Sequence, residues 1–197
     1  MTTKTHEQRM AAKKAVIDAR IAKATEERGI VILLRGNGKG KSSSAFGTLM
    51  RNLGHGKTGA VVQFVKGRIA TGEHKFFQAF TNIPWHIMGH GFTWETQDKE
   101  RDIAAAEKAW EVTQELLQDD SIDMLVLDEM AYIFKYKYLP IEPVLAALKQ
   151  RPKHQTVIIT GRVMPDALVE YADTVSTVKD DGHAFRLGVK AQAGIEY

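Results

Sequence analysis

Residues 30–44 read Ile30-Val31-Ile32-Leu33-Leu34-Arg35-Gly36-Asn37-Gly38-Lys39-Gly40-Lys41-Ser42-Ser43-Ser44. A short apolar, β-branched run stops at Arg35. Three glycines follow at alternate positions, then Lys41, Ser42 and a helix-compatible segment. Strand, glycine-rich loop and helix in that order make a phosphate-binding loop. Glycines let backbone N–H groups turn inward around an anion with no side chain in the way. The N-terminus of the following helix adds partial positive charge and unsatisfied donors. Lys41 brings a full positive charge, and the Ser42 hydroxyl is placed to ligate Mg²⁺. The usual pattern is G-x-x-x-x-G-K-[ST]. Here it is one residue shorter, G-x-x-x-G-K-S, with Arg35 where the longer form has glycine. A glycine-rich turn with incidental lysines is the competing reading. It does not account for a loop set between a buried strand and a helix.

Further apolar runs repeat the theme along the chain. Strands are expected at 59–65, 85–88, 122–127, 156–160 and 174–178, besides 30–34. Helices are expected after the loop to about Leu53, around 73–80, over 97–118, over 130–137, from Pro140 to Gln150 and over 165–171. Ala45, Phe46, Leu49 and Leu53 form the buried face of the first. Ile103, Ala106, Trp110, Thr113 and Leu117 form that of the longest. Near-continuous apolar strands alternating with helices predict an α/β fold. Its sheet is mostly parallel, of about six strands, with helices on both faces. Right-handed crossovers then bring every loop that follows a strand to one edge, where ligands bind.

The N-terminal segment is different. Residues 5–27 lack Gly and Pro and read as a polar helix ending at Gly29, with a thin stripe of Met10, Val16, Ile17 and Ile21. So polar a helix is not held by burial alone. It either frays or lies in a groove of the body or of a partner. The chain thus divides into an arm, 1–28, and a nucleotide-binding domain, 29–197. Net charge is +3 over 197 residues. The arm through Gly29 carries seven basic and four acidic side chains, so the body is neutral. That is weaker than the basic stripe of a nucleic-acid binder. There is no cysteine, which excludes disulfides and thiolate metal sites. No secretory h-region and no apolar run near the ~20 residues of a membrane helix are visible. The expectation is a cytoplasmic protein acting on neither membranes nor nucleic acid.

Met124-Leu125-Val126-Leu127-Asp128-Glu129 supplies the second half of a nucleotide site. A buried strand delivers an acid at its carboxyl end, where such an acid holds Mg²⁺, or Mn²⁺ in its place. Spacing does not decide between Asp128 and Glu129 as the direct ligand. A Glu in this position also suits orientation of water toward a γ-phosphate. Phe92 and Trp94, after the third strand, suit an apolar wall for a large flat ligand, and equally suit anchors beneath a loop. Tyr132, Phe134, Tyr136 and Tyr138 extend either reading. Arg162 follows the fifth strand and falls on the ligand edge. Arg51 and Lys39 are further candidates for phosphate contact. The seven histidines show no metal-ligand spacing. No nucleophile–base pair is visible.

These residues together resemble the ATP:corrinoid adenosyltransferases of the cobalamin pathway. The resemblance runs from Glu27-Arg28-Gly29-Ile30 through the short loop and Gly54-His55-Gly56-Lys57. It continues through Val61-Val62-Gln63-Phe64, Gly91-Phe92-Thr93-Trp94, Leu127-Asp128-Glu129 and His154-Gln155-Thr156 to Gly161-Arg162, and ends at Gly188-Val189-Lys190-Ala191-Gln192. The short loop and the Phe-Thr-Trp segment are its specific parts. The resemblance implies a RecA-like sheet, a homodimer and transfer of the 5′-deoxyadenosyl group of ATP to the cobalt of a reduced corrinoid, with release of triphosphate. It implies that Gly36 to Ser42 bind triphosphate, Lys41 and Glu129 act in catalysis, and Ser42 with Asp128 or Glu129 serves Mg²⁺. It places Phe92 and Trp94 against the corrinoid, lays the N-terminal helix over the active site, and names flavodoxin or reduced flavin as electron donor. Departures are Ser42-Ser43 for a common Thr-Thr, Arg35 for Thr, and different residues at Gly89-His90 and Val163-Met164-Pro165. The rival reading is an ATPase or phosphotransferase acting at the γ-phosphate. A third is a nucleotide-gated module using its basic arm on nucleic acid.

Overall fold

The computed structural model describes residues 5–65, 71–88 and 99–196. The expectations for Lys66-Gly67, Gly89-His90, Phe92 and Trp94 lie outside the described residues. Six strands form one sheet: β1 (Val31–Arg35), β2 (Gly59–Gln63), β3 (Trp85–Ile87), β4 (Met124–Asp128), β5 (Thr156–Gly161) and β6 (Thr174–Thr177). All pairings are parallel, in the order β3-β2-β4-β5-β1-β6. The α/β architecture is the one the alternating pattern predicts, and each strand lies within two residues of its expected span.

The order of connections assigns the helices to faces. From β1 the chain moves in one direction across the sheet, through α2 (Lys41–Gly54) to β2 and α3 (Gly72–Phe80) to β3. It then reverses through α4 (Lys99–Gln118) to β4. It continues in the new direction through α5 (Ala131–Lys135) and α6 (Ile141–Gln150) to β5, and α7 (Asp166–Tyr171) to β6. Right-handed crossovers put helices on opposite faces when the direction of travel reverses. The core divides accordingly. Leu34, Val61, Met124, Val126 and Ile158 pack with Ala45, Phe46 and Leu49 of α2 and Phe77 of α3. The alternate strand residues Leu33, Val62, Leu125, Leu127, Val157 and Ile159 pack with Trp110, Leu117, Ile133, Leu148 and Leu168 from the other helices. A period of two with apolar residues on both faces is what a doubly covered parallel sheet demands.

Three expectations need adjustment. Leu53 and Ile103 are only half-buried; Ala109 and Leu116 take their share of α4's buried face. The arm helix, α1 (His6–Lys23), stops four residues before the expected end. A capping box starts it, with the Thr5 hydroxyl accepting from the Gln8 N–H and the Gln8 side chain accepting from the Thr5 N–H. The chain then leaves the helix because Arg28 is drawn to Asp173 at 2.6 Å and the Gly29 N–H donates to the Lys153 carbonyl at 2.8 Å. Gly29 is a close-approach residue rather than a helix stop: a Cβ there would lie 2.2 Å from the Gln155 carbonyl oxygen. The tail, unassigned from sequence, holds one 3₁₀ turn at Ala184–Leu187 and folds back toward the phosphate loop.

Candidate nucleotide site

The loop after β1 leads to one face of the sheet and the loops after β4 and β5 lead to the other. The crevice between such diverging loops is where open parallel sheets bind ligands. Residues 36–40 sit in it and are fastened from two sides. The Gly36 N–H donates to the Arg162 carbonyl (3.0 Å) and the Gly38 N–H to the Val178 carbonyl (2.9 Å). Gly36 has φ +109°, and a Cβ there would fall 2.4 Å from the Val178 oxygen. At Gly38 a Cβ would fall 2.2 Å from the Lys179 oxygen. The glycines therefore serve the close approach of the segment after β6 as well as the curvature of the loop.

Helix α2 begins at Lys41 with Gly40 at its N-cap, where no side chain caps the free N–H groups. No acidic residue lies in its first turn. Its positive end is therefore not neutralised from within its own first turn, as suits a bound phosphate. The Lys41 ammonium donates to the Gly38 carbonyl at 2.6 Å, folded back over the loop. Partial burial, and then the nearby Arg162 guanidinium, lower the Lys41 pKa below the usual lysine value; Glu129 and Asp128 pull the other way. A cleft of about 670 Å³ opens here. Its lining includes Asn37 to Ser43, Glu129, Tyr132 and Arg162.

Asp128 and Glu129, adjacent in sequence, are placed differently. Asp128 is fully buried beneath the cleft, accepting from Gln63 Nε2 (3.0 Å) and from the Thr160 hydroxyl (2.8 Å). Glu129 takes a left-handed backbone, φ +59°, and lines the cleft. Its N–H donates to the Thr160 oxygen at 2.8 Å. Ser42 lines the same cleft. Among the described residues no group of three His, Cys, Asp or Glu side chains forms a cage for a metal. One hydroxyl and one or two carboxylates, all hard oxygen donors, match the way Mg²⁺ binds with substrate phosphates completing its shell.

Of the expected site residues, the structure brings together Gly36 to Ser43, Glu129 and Arg162, with Asp128 just beneath. Arg51 does not join them; it is exposed in the last turn of α2, at the far end from the loop. Lys39 points to the tail and pairs with Glu196 at 3.4 Å. Tyr132 lines the cleft, stacked on Tyr136 at 6.1 Å, which stacks on Tyr138 at 5.7 Å, while Phe134 packs on the core. Sequence reasoning missed Gln63 and Thr160. Each is a polar residue at the carboxyl end of a strand flanking β4, and that signal was available.

A buried parallel sheet carrying a glycine loop on β1 and an acidic pair on β4 defines a RecA-like P-loop nucleotide-binding protein. The chain belongs to a particular family of these. Residues 27–197 match the model of the ATP:corrinoid adenosyltransferase BtuR/CobO/CobP family. The chain is 50% identical over 193 residues to a corrinoid adenosyltransferase of Pseudomonas aeruginosa, covering 98% of this chain and 95% of that one. It is 47% identical to the corrinoid adenosyltransferase of Escherichia coli K12 over the full length of both. It is 48% identical to the corrinoid adenosyltransferase CobA of Salmonella typhimurium, again over the full length of both.

Proposed function

We infer that this protein transfers the 5′-deoxyadenosyl group of ATP to the cobalt of a reduced corrinoid and releases triphosphate. The observation that carries the inference is that the family match spans the whole phosphate loop, the acidic strand and the cleft between them. Co(I) is itself a strong nucleophile. Its electron pair forms the bond to C5′, the C5′–oxygen bond breaks, and triphosphate leaves with the electron pair of the broken bond. The protein's tasks are then alignment and stabilisation of the leaving charge. Loop N–H groups, the N-terminus of α2, Lys41 and Arg162 are suited to hold the triphosphate. Ser42 and Glu129, with Asp128 beneath, would hold Mg²⁺, whose chemistry is to neutralise charge growing on the leaving oxygens. Burial lowers the Lys41 pKa, and a triphosphate beside it would favour its charged form.

Phe92 and Trp94 are assigned by the family resemblance to the corrinoid side, as residues that prepare cobalt for attack. Truncating either ring should impair use of Co(II) corrinoid more than reaction with pre-reduced Co(I); equal loss in both assays removes that assignment. The same resemblance supports a homodimer and flavodoxin or reduced flavin as electron donor, and the cytoplasm is the location expected from the sequence. No described helix is long and apolar enough to cross a membrane. Light scattering at micromolar protein tests the dimer.

The deciding experiment is a product assay with Mg-ATP and chemically reduced corrinoid. Adenosylated corrinoid together with intact triphosphate is the expected result. Orthophosphate formed without corrinoid would replace this reading with γ-phosphate chemistry.

A further inference from the structure

Beneath the cleft runs a continuous chain of hydrogen bonds, buried at its centre and partly buried at its two ends. The Trp85 indole N–H on edge strand β3 donates to Gln63 Oε1 at 3.0 Å. Gln63 Nε2 on β2 donates to Asp128 Oδ2 at 3.0 Å. The Thr160 hydroxyl on β5 donates to Asp128 Oδ1 at 2.8 Å and accepts from the Glu129 N–H at 2.8 Å. Gln63 is 1% exposed, and Asp128 and Thr160 are 0% exposed.

Donor chemistry fixes every direction in this chain. An indole N–H only donates, so it holds the oxygen end of the Gln63 amide and turns the NH₂ end to Asp128. A carboxylate only accepts, so the Thr160 hydrogen points to Asp128 and its lone pairs face Glu129. Asp128 is thus gripped from both neighbouring strands, one oxygen by each. Glu129 sits in a left-handed conformation that a non-glycine residue keeps only where its surroundings hold it there. The Thr160 hydroxyl supplies one such hold, on the N–H of that very residue.

We propose that Gln63 and Thr160 are positioning residues for the metal–triphosphate site: they lock Asp128 under the cleft floor and turn Glu129 into the cleft, with Trp85 orienting Gln63. The proposal rests on the reading that Ser42, Glu129 and Asp128 serve the divalent cation. It adds that the affinity for that cation is set on strands β2, β3 and β5, by residues that do not touch it. Groups that orient metal ligands typically contribute 10–100-fold in metal affinity.

The test uses Mn²⁺ as a spectroscopic probe, with ATP and without corrinoid, on the full chain. Gln63→Leu and Thr160→Val, where folded, should each weaken Mn²⁺ binding about 10–100-fold, with some loss of thermal stability because each strips a donor from buried Asp128. Thr160→Ser keeps the hydroxyl and should return affinity to within about threefold of wild type. Trp85→Phe keeps a ring on β3 packed against Phe46 and Phe77 but frees the Gln63 amide, and should show a smaller loss, about two- to fivefold. In the ¹⁵N-labelled protein the Trp85 indole resonance should shift in Gln63→Leu. Folded Gln63→Leu and Thr160→Val proteins that bind Mn²⁺ as wild type would overturn the proposal. So would a Thr160→Ser protein as weak as Thr160→Val, and that pair decides the matter if Gln63→Leu does not fold. If the predicted losses appear in a protein that makes no cobalt–carbon bond, the positioning role stands and adenosyl transfer falls.

Discussion

The two polar, lysine-rich segments on either side of β1 have opposite fates. Residues 6–23, before the strand, form a capped helix that buries none of its residues. Residues 36–40, after it, form a loop whose N–H groups donate to the carbonyls of Arg162 and Val178, just past β5 and β6, and whose glycines abut Val178 and Lys179. Charge and polarity are alike in the two. What differs is whether neighbouring backbone reaches the segment. The loop leaves the carboxyl end of a central strand, where β5 and β6 present carbonyls on both sides. The arm enters at the opposite end, and only its root is fastened. The contrast teaches that order at this site comes from the sheet rather than from the loop's own sequence.

The sharpest attack on that contrast is at Lys41. Lys41→Ala should lower ATP use by about 100–1000-fold, the usual loss when a donor to developing charge is removed, with the thermal midpoint little changed. ATP titration by calorimetry and single-turnover product formation check both halves. Near-normal turnover would mean that the loop is not the triphosphate site.

Next is the packing that separates loop from arm. Gly38→Ala drives a methyl against the Lys179 carbonyl. Overpacking of this kind costs about 1–3 kcal/mol, and displacing the loop by about 1 Å is enough for a 100-fold loss of activity. Chemical denaturation and turnover should therefore fall together. Lys41→Ala, by contrast, should separate them. Unchanged stability in Gly38→Ala would show that the segment after β6 does not seat the loop.

The sequence made the loop, the strands and the acidic pair legible for physical reasons. Ile30 to Leu34, Val61-Val62 and Met124 to Leu127 are short apolar runs bounded by turn residues, and a strand covered on both faces is what such a run satisfies best. Glycine spacing is equally direct, because it reports a backbone need. The division of labour between Asp128 and Glu129 was not legible. It depends on Thr160 and Gln63, which are distant in sequence and meet Asp128 only through strand order. Arg51 shows the converse. Helical position alone put it beside the loop's helix, but ten residues of α2 carry it away from the cleft. The end of α1 was overestimated because helix propensity in 24–27 gives no hint of the Arg28–Asp173 pair that pulls the chain straight.

That pair fastens the arm's root beside the Gly29–Lys153 backbone bond, and it supplies a smaller prediction. Asp173 accepts from Arg28 and from the Val31 N–H at 2.8 Å, and the Arg28 bond, ahead of the backbone bond, holds its carboxyl below the usual carboxylate range. A depressed carboxylate pKa contributes stability that is present above the unfolded-state value and lost as pH falls through the folded one. Wild type should thus lose part of its thermal stability below the ordinary carboxylate range. Asp173→Asn should begin about 2–4 °C lower at neutral pH and show less of that acid-dependent loss. Calorimetry from neutral pH into acid measures both slopes. Parallel slopes in the two proteins would remove Asp173 as a source of the acid sensitivity.

The smallest effect on stability should follow deletion of residues 1–27. Helix α1 leaves Met10, Val16, Ile17 and Ile21 about half to two-thirds exposed, so its removal strips no core contact from the body. An exposed pair such as Lys14–Asp18 adds little. The truncated protein should melt within about 1 °C of the full chain, because 1 kcal/mol shifts a domain of this size by only about 2–4 °C. Function should not be so indifferent. An apolar stripe kept on a helix that its own domain does not cover suits a surface completed by a ligand or a second copy. The proposed reading lays that helix over the active site. Corrinoid use should therefore weaken, seen as a higher KM for corrinoid with the KM for ATP unchanged. A drop of many degrees would show that the arm packs on the body after all, and would erase the contrast between the two ends of β1. Equal KM values for both substrates in the two proteins would keep the contrast and leave the arm without a part in the reaction.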